Sequence, residues 1–214
     1  TISLSNKKDI FISEYIGDLQ NVSTINLLEN IIEHFTKIYE IAPKTIVYDI
    51  HPDFNYKNIE IEKKIYISYS LDNTFKKIEV QHHHSHIVSC LAENNANEKV
   101  IGVAFDGTGY GLDKKIWGGE FLICNKKSFQ RVAHLGYFNL PGGESAIKEP
   151  WKIAISLLYK VFNEDYEKYI PTHLRQNDYK TIKKMIDKNI NSPETSSIGR
   201  LFDGISSLIG FNSN

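Results

Sequence analysis

The stretch Val100-Ile101-Gly102-Val103-Ala104-Phe105-Asp106-Gly107-Thr108-Gly109-Tyr110-Gly111 decides how the rest of the chain is read. Its first six residues form an unbroken apolar run, the pattern of a strand buried on both faces. A carboxylate and alternating glycines follow at once. A carboxylate at a strand end is placed to hold a metal ion or its water. Glycines let the backbone approach a phosphate and aim N–H groups at it, and Thr108 adds a hydroxyl donor. This is not the dinucleotide-binding fingerprint, because the glycines alternate and a strand rather than a helix follows. Asp-Gly is equally a plain hairpin turn, so on local sequence a turn and a ligand loop stand as even readings.

Just upstream lies Gln81-His82-His83-His84-Ser85-His86, which holds four of the eight histidines. His82 and His86 are spaced i,i+4, which puts both rings on one side of a helical turn. Two neutral imidazoles so placed can share one divalent ion. His83 with His86 is a second possible pair, and Cys90 continues the His82–His86 line by one more turn. His84 shares a stripe with Ile87, Val88 and Leu91 and is expected to face the core. The bland alternative is a helix start whose histidines are all satisfied. Four clustered imidazoles favour metal.

Farther out, nine of the 13 glycines fall between Gly102 and Gly143, whereas residues 1–99 are rich in Lys, Ile, Asn and Glu. The shift predicts two lobes, 1–99 and 100–214. In the first, Thr1–Leu4 and Ile10–Ile16 read as short strands around a turn at Asn6, Lys7, Lys8 and Asp9. A helix capped by Ser23 or Thr24 runs to about Tyr39, with Pro43 ending it. Thr45–Ile50 reads as a buried strand, residues 51–73 fit no element, and Lys76–Gln81 is a strand leading into a helix from about His84 to Asn94. In the second lobe, Ile116–Cys124 and Phe129–Tyr137 follow so closely that an antiparallel meander is expected. Helices are expected at Glu149–Phe162, Asp178–Lys188 and Thr195–Ile209, the last capped within Ser192–Ser197 and beginning near Ile198. Each lobe runs from strands to helix, the mark of an α/β protein and a hint of duplication.

The formal charge of -1 argues against a strongly basic nucleic-acid surface. Only Arg131, Arg175 and Arg200 offer planar forks for phosphate. Cys90 and Cys124 form no CxxC, which excludes a cysteine zinc knuckle within the chain. Residues 1–20 lack the pattern of a signal peptide and no stretch approaches a membrane span, so a cytoplasmic location is the expectation. Among smaller features, Trp117-Gly118-Gly119-Glu120 permits close approach of another backbone or forms a bulge. Lys148 or Lys152 is placed to pair with an anionic substrate, although a solvated lysine is commoner. Gly199 and Asp203 share a helix face, and a helical glycine at a cost of about 1 kcal/mol suggests a close contact there.

Taken together, Val80–His86, Ile101–Gly111, Ile116–Phe121, Leu140–Gly143 and Gly199–Asp203 resemble the hydrogenase-maturation carbamoyltransferase family HypF. Ile16–Leu19 and Asp49–Pro52 fit the same family. The matching part is its carbamoyltransferase domain, related to the tRNA threonylcarbamoyl transferase TsaD. The resemblance implies an actin-like (RNase H-like) fold of duplicated α/β lobes, incomplete at both ends in this chain and therefore not expected to turn over alone. It implies metal ligands at His82, His86 and Asp106, with iron or zinc as the ion. It also implies nucleotide contacts from Asp106, Gly107, Thr108, Gly109, Gly199 and Asp203, to ATP or carbamoyl-adenylate. The implied acceptor is the C-terminal cysteine of the partner HypE. No catalytic base is identified. The alternatives are a TsaD-like tRNA-modifying transferase, disfavoured by the triple histidine and the low Arg count, and a non-catalytic module that binds metal and nucleotide.

Overall fold

A computed structural model describes residues 1–6, 9–17, 19, 21–52 and 76–211. By packing the chain divides into two units, Thr1–Val80 and Gln81–Asn214. This division lies upstream of the expected boundary near residue 99. The reason is the helix between them: its Ile87 and Leu91 are buried with Ala104, Leu122 and Cys124 of the following sheet.

In the first unit, strands β1 (Ser3–Ser5) and β2 (Ile10–Ile12) pair antiparallel, with Ser3 opposite Ile12. Asn6 closes their turn by accepting a hydrogen bond from the Asp9 N–H at 2.7 Å, while Lys7 and Lys8 lie outside the described residues. Helix α1 (Val22–Ile38) is capped by Asn21, not by Ser23 or Thr24. The Asn21 carboxamide oxygen takes the Thr24 N–H at 2.8 Å and both neighbouring hydroxyls, so the expected caps serve as donors to it. Leu28 is buried with Ile16 beneath this helix. The helix ends before Pro43 is reached, with Glu40 in the left-handed region at φ 50°. Strand β3 (Thr45–Asp49) pairs in parallel with β4 (Lys76–Val80). Val47 is exposed, so β3 is not the buried strand its composition suggested. Within the motif Ile16–Leu19, Asp18 lies outside the described residues, as do residues 53–73 of the unassigned region.

The second unit opens with α2 (His82–Glu93), which begins two residues earlier than expected. Three antiparallel strands follow as anticipated: β5 (Val100–Tyr110), β6 (Ile116–Cys124) and β7 (Phe129–His134). Two short strands, β8 (Phe138–Asn139) and β9 (Glu194–Thr195), complete a sheet ordered β5-β6-β9-β8, with β7 on the side of β6. Helices α3 (Glu144–Lys148), α4 (Trp151–Phe162), α5 (Tyr179–Asp187) and α6 (Ile198–Leu208) make up the rest, with two 3₁₀ turns before α5. Ile153, Ala154 and Ile155 of α4 are fully buried. Gly204 of α6 lets that helix sit against them, since a Cβ there would come within 2.6 Å of Leu157 Cδ1.

Two expectations for the deciding stretch fail. The apolar run is not buried on both faces: Gly102 and Ala104 face α2, but Ile101 is 72%, Val103 50% and Phe105 61% exposed. Successive side chains of a strand point to opposite faces, and α2 covers only one of them. Nor is Asp106–Gly111 a hairpin turn. Strand β5 continues through Tyr110, and the chain reverses at Gly111–Lys115, where the Gly111 N–H donates to the Lys115 carbonyl at 2.9 Å. No helix among the described residues is long and apolar enough to cross a membrane.

Candidate metal and nucleotide site

The site grows from the start of α2. Gln81 is the cap, its side-chain oxygen accepting the His84 N–H at 2.9 Å. From that start, His82 and His86 stand one turn apart and turn their Nε2 atoms toward each other, 3.1 Å apart. Asp106 of β5 faces both: its Oδ2 lies 3.0 Å from His82 Nε2 and 3.6 Å from His86 Nε2. Its other oxygen, Oδ1, accepts the Gly107 N–H at 2.6 Å, which fixes the carboxylate plane. The three ligand atoms lie within 4.8 Å of one another at a half-exposed position. Two ring nitrogens and a carboxylate oxygen thus converge on one point, the rings through their i,i+4 spacing and the carboxylate from within β5 rather than from a strand end.

Asp106 is held out of register by a bulge. Phe105 pairs with Gly119 and Gly109 pairs with Trp117, so residues 106–108 stand opposite Gly118 alone. Gly118 makes room, because a Cβ there would meet the Asp106 carbonyl oxygen at 2.6 Å. The start of α6 clamps the bulge from the other side. The Ser197 hydroxyl lies 2.9 Å from the Asp106 carbonyl and 2.8 Å from that of Gly107, and it also caps α6 by accepting the Arg200 N–H. Gly199 meets Gly107 backbone to backbone: a Cβ on Gly199 would lie 3.0 Å from Gly107 Cα. The close contact anticipated at Gly199 is therefore made within the protein.

Behind the bulge sits a fully buried carboxylate. Glu120 accepts from the N–H groups of Gly118 and Gly119, from the Ser196 hydroxyl and from Arg131 Nε at 2.6 Å. Burial pushes its carboxyl up, and the bonds from Arg131, Ser196 and Gly118 outweigh that and hold it below the usual carboxylate range. Arg131 lies over the Trp117 ring at 3.9 Å and also donates to Tyr137. Burial and a hydrogen bond to Asp113 push the Tyr137 phenol up to about 12.

The remaining sequence candidates scatter. His83, not His84, is the fully buried imidazole. His84 is half-buried beside Phe129 and bonds the Asn125 carbonyl at 2.8 Å. The stripe through Ile87 and Leu91 continues to His83 at i−4, an equally good fit that the composition did not separate. Burial, with His82 beside it, lowers the His83 pKa to about 4. Cys90 is exposed and lies outside the three-ligand group. Gly109 is buried under imidazoles, with a Cβ there falling 2.4 Å from His83 Cε1. Thr108 is exposed on the bulge. Asp203 pairs with Arg200 Nε at 3.0 Å. Lys148 is exposed at the end of α3, whereas Lys152 is engaged with Glu149 and Ser145. Ser197 is the α6 cap, inside the capping run expected at Ser192–Ser197, but the sequence reading assigned it no part in the bulge, assigned Arg200 no place beside it, and did not pair Glu120 with Arg131. A signal existed: Arg is scarce in this chain, and two of the three Arg residues, Arg131 and Arg200, stand behind or beside the bulge.

Comparison with known proteins places the chain. The family model described as "HypF Kae1-like domain" matches residues 1–93, and "Carbamoyltransferase, Kae1-like Domain, second subdomain" matches residues 102–214. Carbamoyltransferase HypF of Synechocystis sp. is 37% identical over 98% of this chain and 28% of its own length. Carbamoyltransferase HypF2 of Cupriavidus necator is 34% identical over 98% of this chain and 25% of its own length. A crystal structure of full-length HypF in a phosphate- and nucleotide-bound form superposes with TM-score 0.80 at 40% identity, over 96% of this chain and 26% of that one. The structure of T. kodakarensis HypF gives TM-score 0.80 at 31% identity, over 96% of this chain and 28% of that one. The chain thus spans about a quarter of the length of the relatives it matches.

Proposed function

The chain belongs to the HypF carbamoyltransferase family, and on that premise we propose that it supplies the metal- and nucleotide-holding part of a carbamoyltransferase acting in hydrogenase maturation. The fold is the family's mixed α/β architecture, consistent with an actin-like arrangement. The observation that carries the reading is the convergence of His82 Nε2, His86 Nε2 and Asp106 Oδ2, with separations of 3.0, 3.1 and 3.6 Å. The donor set fits a divalent ion. Zinc takes imidazole nitrogen at about 2.0–2.1 Å and carboxylate oxygen at about 2.0–2.2 Å, so ligand atoms around it stand roughly 3–3.5 Å apart. Iron or zinc held there would polarise a carbonyl or phosphoryl oxygen as a Lewis acid.

The chain's own residues hold and orient the donor. Thr108, exposed at the crest of the bulge, presents its hydroxyl, while Gly107, whose N–H and carbonyl are engaged by Asp106 and Ser197, contributes by leaving its side-chain position open. The N-terminus of α6, at Gly199, adds a favourable field for phosphate. Asp203 accepts from a ribose hydroxyl, which requires its pairing with Arg200 to be shared. Gly109 contributes by leaving the imidazoles room. The donor is carbamoyl-adenylate, made from ATP, and the acceptor is the C-terminal cysteine of HypE. Its thiolate attacks the carbamoyl carbon; a C–S bond forms as the C–O bond to phosphate breaks, and AMP leaves with the electron pair. The reaction belongs in the cytoplasm and uses neither membrane nor nucleic acid.

The test is metal analysis of purified chain carrying both His82→Ala and His86→Ala. Metal is expected to drop from about one ion per chain to background. Unchanged metal content would overturn the assignment.

A further inference from the structure

His83 has no part in the ligand set described above, yet it is the one imidazole in the cluster with no exposed surface. Its Nδ1 faces Gln81 Nε2 at 3.2 Å. Which atom carries the proton follows from the neighbours. The His84 N–H is a donor that needs an acceptor, and Gln81 Oε1 meets it at 2.9 Å. The amide NH2 of Gln81 must then point the other way, toward His83 Nδ1 and toward the Tyr110 carbonyl at 3.2 Å. A carbonyl accepts only, which independently confirms the amide orientation. His83 Nδ1 therefore accepts, and a neutral imidazole that accepts at one nitrogen carries its hydrogen on the other.

That other nitrogen, Nε2, is buried and has no hydrogen-bond partner among the described residues. It points toward the ligand cluster but stops 3.8 Å from Asp106 Oδ2, too far for a hydrogen bond. Gly109 lets the ring sit there, since a Cβ on it would lie 2.4 Å from His83 Cε1 and 3.0 Å from Nε2. A buried donor without a partner is costly and is retained where something arrives to use it.

We propose that His83, fixed by Gln81 as the Nε2–H tautomer, donates a hydrogen bond to an oxygen of the anionic ligand bound at the His82–His86–Asp106 cluster. This rests on the reading of that cluster as a ligand site. It gives His83 a role distinct from ligation: a neutral, preorganised donor aimed at a phosphoryl or carbonyl oxygen.

The experiment has two readouts on the 214-residue chain. First, ¹⁵N-detected imidazole spectra of chelator-treated protein should show His83 with a bare Nδ1 and a protonated Nε2. Gln81→Glu, whose carboxylate can only accept, should reverse that pattern. Second, inorganic phosphate binding is measured by calorimetry with and without zinc. His83→Ala and Gln81→Glu should each weaken phosphate by about tenfold or more, the effect of losing one bond to a charged group, while zinc affinity changes by less than about threefold. An Nδ1–H tautomer in the wild-type chain overturns the proposal. So does phosphate binding that is equal in wild type and both variants, or absent from the wild type in either condition. A wild-type chain that binds phosphate but no zinc removes the metal reading and leaves the His83 assignment standing.

Discussion

Two charged clusters flank the bulge of β5, and they are built on opposite principles. Around Glu120 every strong group is used: four donors meet one buried carboxylate, and its cation Arg131 is itself stacked on Trp117. Around Asp106 the ligand atoms of His82 and His86 converge at a half-exposed spot, and His83 keeps a buried nitrogen without a hydrogen-bond partner among the described residues. A saturated cluster is scaffold, because it offers nothing for a ligand to bind. A convergent, under-satisfied one is where a ligand completes the bonding. The first holds the second in place: Glu120 grips Ser196, and the next residue, Ser197, clamps the Asp106 and Gly107 carbonyls.

The comparison breaks most visibly if the saturated cluster is cut. Arg131→Ala leaves Glu120 as an uncompensated buried charge and should cost about 3–5 kcal/mol, read as a fall in the urea midpoint. His86→Ala in metal-free protein, at a largely exposed position, should cost under about 1 kcal/mol. Similar costs for the two would erase the distinction.

Acid separates the clusters next. The folded His83 pKa lies near 4, below the ordinary value of 6.5. The unfolded chain therefore takes up the proton first as pH falls, so stability is full above pH 6.5 and declines toward pH 4. The slope is about 1.4 kcal/mol per pH unit, or roughly 3 kcal/mol over the window. Glu120 is also depressed, but as a carboxylate it loses its contribution only below the ordinary carboxylate range. Urea midpoints of metal-free wild type and His83→Gln between pH 7 and 4.5 check this: the wild type should lose more, and parallel curves would contradict it.

A smaller effect tests the link between the clusters. Ser197→Ala removes the α6 cap and the clamp on the bulge and should cost about 1–2 kcal/mol. It should also weaken zinc, since Asp106 is then less firmly placed. A loss of stability with unchanged zinc affinity would show that the clamp does not serve the site. The smallest expected effect is none: Cys90→Ser should leave zinc affinity unchanged within about twofold.

Much of this was legible in the sequence, and what was not has physical causes. The i,i+4 spacing of His82 and His86 is a property of one helix, so local sequence carries it. The β5-β6-β7 meander follows from strands too close together for a crossover. Whether Asp106-Gly107 is a turn or a bulge depends on pairing with Trp117–Gly119, some ten residues on, and the local Asp-Gly signal left a turn and a ligand loop as even readings. The short strand β9 is set by its neighbours Ile116 and Phe138 rather than by its own two residues. Gln81 is not a typical cap, so α2 was expected two residues late, and the buried imidazole was assigned to His84 instead of His83.

The central claim is that His82, His86 and Asp106 together hold one divalent ion. X-ray absorption spectroscopy of the zinc-loaded chain tests it most directly. The account predicts two imidazole nitrogens and at least one oxygen in the first shell, with Zn–N near about 2.0–2.1 Å, and loss of the imidazole signal in the His82→Ala, His86→Ala variant. A sulfur scatterer at about 2.3 Å, which would place Cys90 on the ion, or a shell without imidazole, would contradict it.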